Sequence, residues 1–187
     1  MPFATWWRGD PLPELPSLPS FSARRVERWD DARRVTGLTE DRALLCYQGG
    51  HRLYAAHLGA QAVGYGWAAK ATGGIEELDF SFLVPGGNCY LWDFVTLPAW
   101  RGRGIYPHLL QEIVRQEDRI ERFWIGYEAH NEASARGISK AGFRVVGDLA
   151  VADGRVASFV VFEPGQRAHA AGDLLGLPTV DQGAAGL

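Results

Sequence analysis

The sequence predicts an α/β fold, a single mixed β-sheet covered by helices. Three observations predict it. Residues 52–58 and 62–69 read as two strands joined by the tight turn Gly59-Ala60-Gln61. Residues 90–140 alternate strand, helix, strand, helix. Residues 144–151 and 155–162 read as a closing hairpin around Asp153-Gly154. Strand–helix alternation implies a parallel pair within the sheet, and hairpins imply antiparallel neighbours.

Taken in order, the chain opens with residues 1–20, which carry Pro11, Pro13, Pro16 and Pro19. Proline at this density prevents a helix and favours extended chain, so the segment reads as an N-terminal arm packed on the domain. Residues 21–26 are a candidate first strand, and residues 29–36 and 40–47 read as short helices separated by Gly37. Gly64 and Gly66 interrupt the strand at 62–69 and predict a bulge or a close approach by another segment. Residues 76–83 read as a further strand-like segment, followed by the turn cluster Pro85-Gly86-Gly87-Asn88.

Residues 90–96, Tyr-Leu-Trp-Asp-Phe-Val-Thr, are aromatic and β-branched and predict a central strand. Ile105, Leu109, Leu110, Ile113 and Val114 then share one helical face, with Pro107 in the first turn, where proline is tolerated. Residues 122–127 read as the next strand and residues 131–140 as a helix stopped by Gly142. Residues 21–163 thus form a single domain. The Ala- and Gly-rich residues 164–187 read as a loosely held tail, with a short amphipathic turn at 173–177.

Composition narrows the function classes. A chain of 187 residues suits one domain with a sizeable core. A net charge of −3 argues against nucleic acid as a partner and is compatible with a cationic substrate such as an amine. Two cysteines, Cys46 and Cys89, are too few for a disulfide framework, and their spacing matches no metal site. No apolar run approaches the roughly 18 residues of a membrane span, and residues 1–10 lack the pattern of a signal peptide. The expected compartment is the cytoplasm, with no membrane partner and no metal. A homodimer is compatible with the sequence.

The central signal is the strand, then Arg101-Gly102-Arg103-Gly104-Ile105, then the helix. A helix N-terminus presents unpaired N–H groups and a partial positive charge. Glycines let a phosphate approach those groups, and arginines add charge. The segment therefore predicts an anion site suited to a pyrophosphate. It is not a Walker loop, because Ile105-Tyr106 stands where Lys-Ser/Thr would be required. It also lacks the third glycine of a dinucleotide fingerprint.

This segment resembles the GNAT superfamily of acyl-CoA-dependent N-acetyltransferases, whose pattern Gln/Arg-x-x-Gly-x-Gly/Ala stands between its fourth strand and the next helix. Arg101 and Gly104 match, Pro98 fits the proline that tends to precede the Arg, and Tyr106 departs where a small residue is usual. A second pattern, Asn-x-x-Ala/Ser-x-x-x-Tyr-x-Lys-x-Gly-Phe, is met by Asn131, Ser134, Lys140, Gly142 and Phe143. Ile138 stands where its tyrosine is usual. The resemblance covers roughly residues 52–162.

The resemblance implies the GNAT fold and an N-acyltransferase, with acetyl-CoA or another acyl-CoA as co-substrate and a small primary amine as acceptor. It implies a pyrophosphate on the backbone of Arg101, Gly102, Arg103, Gly104, Ile105 and Tyr106. The pantetheine would pair with the backbone of Val95, Thr96 and Leu97, and Asn131, Ser134 and Lys140 would flank the other side. Direct attack of the amine needs a proton acceptor. Asp93, a carboxylate in an apolar strand, is the first candidate, and Glu128 and His130 follow. Tyr106, Tyr127 or a water could protonate the thiolate in place of the absent tyrosine. Glu76, Glu77 and Asp79 are candidates for the acceptor side. Two alternatives stand beside this reading: a non-catalytic CoA-binding or assembly module on the same fold, favoured by Ile138, and a protein N-acetyltransferase.

Overall fold

The computed structural model describes residues 1–182. Among the described residues eleven strands form: β1 (Pro2–Trp7), β2 (Phe21–Val26), β3 (Arg52–Leu58), β4 (Gln61–Ala69), β5 (Thr72–Ile75), β6 (Phe80–Leu83), β7 (Asn88–Thr96), β8 (Arg122–Gly126), β9 (Arg144–Ala152), β10 (Arg155–Val161) and β11 (Thr179–Asp181). Five helices accompany them: α1 (Trp29–Thr36), α2 (Glu40–Gln48), α3 (Ile105–Gln116), α4 (Glu132–Lys140) and α5 (Gln166–Leu175). Nine strands make one sheet in the order β11-β10-β9-β1-β8-β7-β4-β3-β2, and β5 with β6 forms a separate hairpin. β7–β8 and β10–β11 are parallel, and every other pair is antiparallel. The parallel pair β7–β8 requires a crossover, and α3 supplies it.

Strand alternation assigns the two faces. Tyr54 and Ala56 of β3, with Ala4 and Trp6 of β1, join a core with Leu109, Leu110 and Ile113 of α3 and Ile138 of α4. Leu53 and Ala55 point the other way, into a core with Ala32 of α1 and Trp67. Phe3 does likewise and meets Ala168, Ala171 and Leu174 of α5. The period of two along a strand thus gives a three-layer molecule, with α3 and α4 on one face and α1, α2 and α5 on the other.

Two terminal segments differ from the sequence expectation. Residues 2–7 are not part of an arm lying on the domain: β1 is an interior strand hydrogen-bonded to β8 and β9. The prolines do produce extended chain, but only after Trp7. Residues 166–175 form α5, and residues 179–181 add a strand to the sheet edge. The small residues expected to leave this tail loose instead let α5 pack closely, since a Cβ at Gly172 would lie 2.4 Å from Thr179 Cγ2. The segment at 76–83 is also different. Its first half is a 3₁₀ turn, Glu76–Leu78, at the tip of a hairpin, and only its second half is a strand, β6, which pairs with β5.

One buried charge ties the far end of α3 to the sheet. Glu117 is 4% exposed. It accepts from Arg52 Nη1 at 2.7 Å, Tyr54 Oη at 2.7 Å and Lys70 Nζ at 3.1 Å. Burial pushes its carboxyl pKa up, but these three donors outweigh burial and hold it below the ordinary glutamate value. Cys89 is buried and Cys46 partly buried, and both are free thiols. Among the described residues, no helix is long and apolar enough to cross a membrane.

Candidate active site

The site begins where β7 leaves β8. The two strands pair from Asn88↔Arg122 to Leu91↔Ile125 and no further. Beyond Leu91, β7 keeps only β4 as a neighbour. The cause is a bulge: Tyr65 pairs with Val95 and Trp67 with Trp92, so Gly66 faces both Asp93 and Phe94. Asp93 takes the left-handed conformation, φ 49°, which is sparsely populated outside glycine and tolerated best by Asp and Asn. The glycines in β4 permit this. A Cβ at Gly66 would lie 2.3 Å from Phe94 Cε1, and one at Gly64 would lie 2.7 Å from the Val95 carbonyl oxygen.

Two adjoining cavities fill the splayed region. The larger, about 570 Å³, lies between the β7–α3 loop and α4. Val95, Thr96, Arg101, Gly102, Gly104, Ile105 and Tyr106 line one side, and Asn131, Ser134 and Lys140 the other. Gly102 and Gly104 have φ of 76° and 79°, backbone that L side chains rarely adopt. No side chain caps α3, so its first-turn N–H groups face the loop unsatisfied by a cap. Asn131 caps α4 through Oδ1, which accepts from the Ser134 N–H at 3.0 Å.

Two residues expected at this cavity stand outside it. Leu97 is committed to its own turn: its N–H donates to the Val63 carbonyl at 2.9 Å and its carbonyl accepts from the Trp100 N–H at 2.8 Å. Arg103 lies over the Trp100 ring, 4.9 Å from its centroid. Arg101 lines the cavity while its Nε donates to the Thr96 carbonyl at 3.2 Å. Arg136, Gly137 and Trp100 line it without having been singled out in the sequence.

The smaller cavity, about 330 Å³, lies on the other side of Tyr106. Asp93, Glu128, Glu76 and Glu77 line it, as do Tyr127, Tyr90 and Trp92. Arg42 of α2 also reaches it and is hydrogen-bonded to Glu76. His130 does not line it: its side chain is 84% exposed and its Nε2 lies 3.3 Å from Glu128 Oε2. Asp79 also lies away from it and closes the 3₁₀ turn in the left-handed region. Asp93 stands at the cavity mouth with one side open to water. Partial burial raises its carboxyl pKa, Arg42 opposes the rise, and the like charges of Glu76 and Glu77 add to it.

Tyr106, Phe94, Asn131 and Ser134 belong to both cavities. Tyr106 packs against Phe94 with ring centroids 5.3 Å apart, and its Oη lies 3.4 Å from Ser134 Oγ. Burial pushes the phenol pKa well above its ordinary value, so Tyr106 stays protonated at neutral pH. Ile138 is fully buried in the core and presents nothing to either cavity. Among the described residues no three His, Cys, Asp or Glu side chains gather as a metal site.

Arg42, Tyr90 and Gly137 escaped the sequence reading. Gly137 alone left a signal there, as a glycine inside a predicted helix, where it disfavours the helix unless packing requires it.

Known structures share this architecture. A GNAT-family protein from Novosphingobium aromaticivorans superposes with a TM-score of 0.51 at 18% identity, over 77% of this chain and 59% of that one. This chain therefore spans about three-fifths of that protein's length. AAC(6')-Iy, solved with the bisubstrate analogue CoA-S-monomethyl-acetylneamine, gives 0.51 at 16% identity, over 71% of this chain and 96% of that one. The yncA protein from Salmonella typhimurium, solved with acetyl-CoA, gives 0.50 at 17% identity, over 73% and 88%. No curated protein matches the sequence. The family profile described as "Acetyltransferase (GNAT) family" matches residues 16–143, more than half of the sequence and the whole of the β7–α3–β8–α4 site. On that match the chain belongs to the GNAT acetyltransferase family.

Proposed function

We propose that this protein transfers an acyl group, acetyl in the simplest case, from coenzyme A to an amine of a small molecule. One observation carries the reading: an anion cradle at the N-terminus of α3 opens onto the unpaired edge of β7, and both meet a carboxylate-lined cavity at Tyr106. The cradle suits a pyrophosphate. It combines left-handed Gly102 and Gly104, an uncapped helix N-terminus, and Arg101, Arg136 and Lys140. The free edge of Val95 and Thr96 suits the amides of a pantetheine arm, which would add like a strand. The acceptor cavity, about 330 Å³, sits at the lower end of the ~300–1,000 Å³ range of ligand pockets and favours a small acceptor over a protein segment.

Acyl-CoA supplies the thioester carbon that is attacked and a thiolate that leaves. Asp93 takes the proton the acceptor nitrogen loses, and its exposed side passes that proton to water. Tyr106 donates a hydrogen bond to the departing sulfur. Full proton transfer from Tyr106 would run uphill, because burial lifts the phenol above its ordinary value of about 10 while a thiol titrates near 8.5. Tyr106 therefore stabilises the thiolate, and solvent supplies its proton. A thiolate needs little more than this, which is why Ile138 can replace a tyrosine.

The buried Ile138 favours a second reading, a module that binds CoA without turnover. Calorimetric titration with acetyl-CoA, comparing wild type with Gly104→Glu, tests the site. Binding by wild type that the variant loses supports the cradle, and no binding by folded wild type overturns it. Release of CoA thiol on adding amines separates the transferase from the binding module.

A further inference from the structure

Two aromatic rings stand between the cavities, and each occupies the place of a missing side chain. Phe94 of β7 lies where a Cβ on Gly66 of β4 would collide with it, and Tyr106 of α3 lies where a Cβ on Gly137 of α4 would collide with it. The two rings meet with centroids 5.3 Å apart. Both pack against the apolar core that includes Ile105 and Ile138. Each ring therefore touches a bare backbone and the other ring, so the pair forms a wall seated from the sheet and from α4. Interiors are close-packed, and a wall built in this way moves only if its neighbours move too.

In the acyltransferase reading, on which this inference rests, the thioester lies where the cavities join. Phe94, Tyr106, Asn131 and Ser134 line both of them, so the acyl group lies beside the two rings. Its chain then has three directions to take. The larger cavity is filled by the pantetheine. The smaller one, about 330 Å³, must hold acyl group and acceptor together, and at a water's share of about 30 Å³ it has room for roughly ten such groups. The third direction leads to the apolar core, and the rings close it. We propose that Tyr106, backed by Phe94, sets the length of the acyl group: the wall admits acetyl and excludes medium-length chains, because the Tyr106 ring covers the apolar space that a longer chain would need.

The test is calorimetric titration of the intact protein with acetyl-, butyryl- and hexanoyl-CoA, which needs no acceptor. Wild type is expected to bind hexanoyl-CoA no more tightly than acetyl-CoA. The longer tail can enter only the smaller cavity, where desolvating Asp93, Glu128, Glu76, Glu77 and Arg42 offsets the apolar gain. In Tyr106→Ala the ratio of hexanoyl to acetyl affinity is expected to rise about tenfold or more, each added methylene being worth about fourfold when it finds apolar surface. Tyr106→Phe keeps the ring and loses only the hydroxyl, so it should keep the wild-type ratio. Phe94→Ala removes the other ring and should raise the ratio in the same direction, which keeps the test decisive if Tyr106→Ala does not fold. A ratio unchanged by removing a ring, or raised equally by Tyr106→Phe, overturns the proposal, as does tighter binding of hexanoyl-CoA than of acetyl-CoA by wild type. Failure of folded wild type to bind any of the three would instead overturn the acyltransferase reading.

Discussion

Tyr106 occupies the space that a side chain at Gly137 would need. A Cβ built on Gly137 would lie 2.4 Å from Tyr106 Cδ1 and 2.9 Å from Cε1. The bulky residue in α3 and the missing side chain in α4 are thus one feature, and together they set the wall between the two cavities. Gly137→Ala is expected to destabilise the protein by about 1–3 kcal/mol, as overpacking does. The ring cannot retreat freely, because Phe94 backs it. In Tyr106→Ala the space is vacated, so Gly137→Ala should then be nearly neutral. Urea midpoints for the two single variants and the double variant give the coupling, expected at about 1 kcal/mol or more. Additive effects would mean that the two sites do not share this space.

Asp93 is expected to carry the acid limb of the pH profile. Its folded pKa is raised by burial and by Glu76 and Glu77. The ionised, proton-accepting form therefore prevails only above a pH higher than the ordinary aspartate value of about 3.9. Activity should fall as pH drops through that raised value. Asp93→Asn should lose about 10²–10⁴ in kcat, the usual contribution of a general base, and should lose this limb as well. An unchanged profile in Asp93→Asn would remove Asp93 from the chemistry and leave it a role in shaping the bulge.

The sequence made the β7–α3–β8–α4 segment legible because its signals are local. A strand, a glycine loop and an amphipathic helix lie adjacent in the chain, and each glycine follows from the backbone it must adopt. The acceptor cavity was less legible. Arg42, Glu77, Asp93 and Glu128 line one cavity only when α2, a hairpin tip, the bulge of β7 and the loop after β8 are packed together. Glu76 and Glu77 could be suspected as charges near the site, but no spacing rule joins them to Arg42. The helix at 166–175 was hidden by its small residues: Ala168, Ala171, Leu174 and Leu175 form a buried face that reads in sequence as a low-contrast, Ala-rich stretch.

Glu117 should make folding stability depend on pH in a predictable direction. Its folded pKa lies below its unfolded value because the donors Tyr54, Arg52 and Lys70 outweigh its burial. The stabilisation is therefore present above the unfolded glutamate pKa of about 4.3 and is lost as pH falls through the lower folded value. Glu117→Gln should cost about 3–5 kcal/mol near neutral pH, as breaking a buried pair does, and the gap to wild type should narrow below about pH 4. Urea midpoints from pH 7 to pH 3 would show this. A gap independent of pH would mean that shape alone, not charge, makes Glu117 necessary.

The last prediction concerns β1, whose place in the sheet no local signal revealed. Six residues followed by a proline-rich run read as an arm, yet Phe3, Ala4, Thr5 and Trp6 are almost wholly buried. The strand bridges β8 and β9, and Thr5 Oγ1 donates to the Phe123 carbonyl at 2.8 Å. Arg8, just beyond it, donates to the Val114, Glu117 and Ile120 carbonyls and so caps the C-terminal end of α3. Phe3 also packs against Tyr90, Trp124 and Phe159, and through them joins β7, β8 and β10. A loosely packed arm would tolerate Phe3→Ala within a few tenths of a kcal/mol, whereas a core strand should lose about 3–5 kcal/mol. Hydrogen exchange gives the same distinction without mutation. Amides of residues 3–6 that pair with β8 and β9 should exchange only on global unfolding, whereas an arm would open locally. Fast exchange there would detach β1 from the sheet and leave β8 and β9 without the strand that joins them.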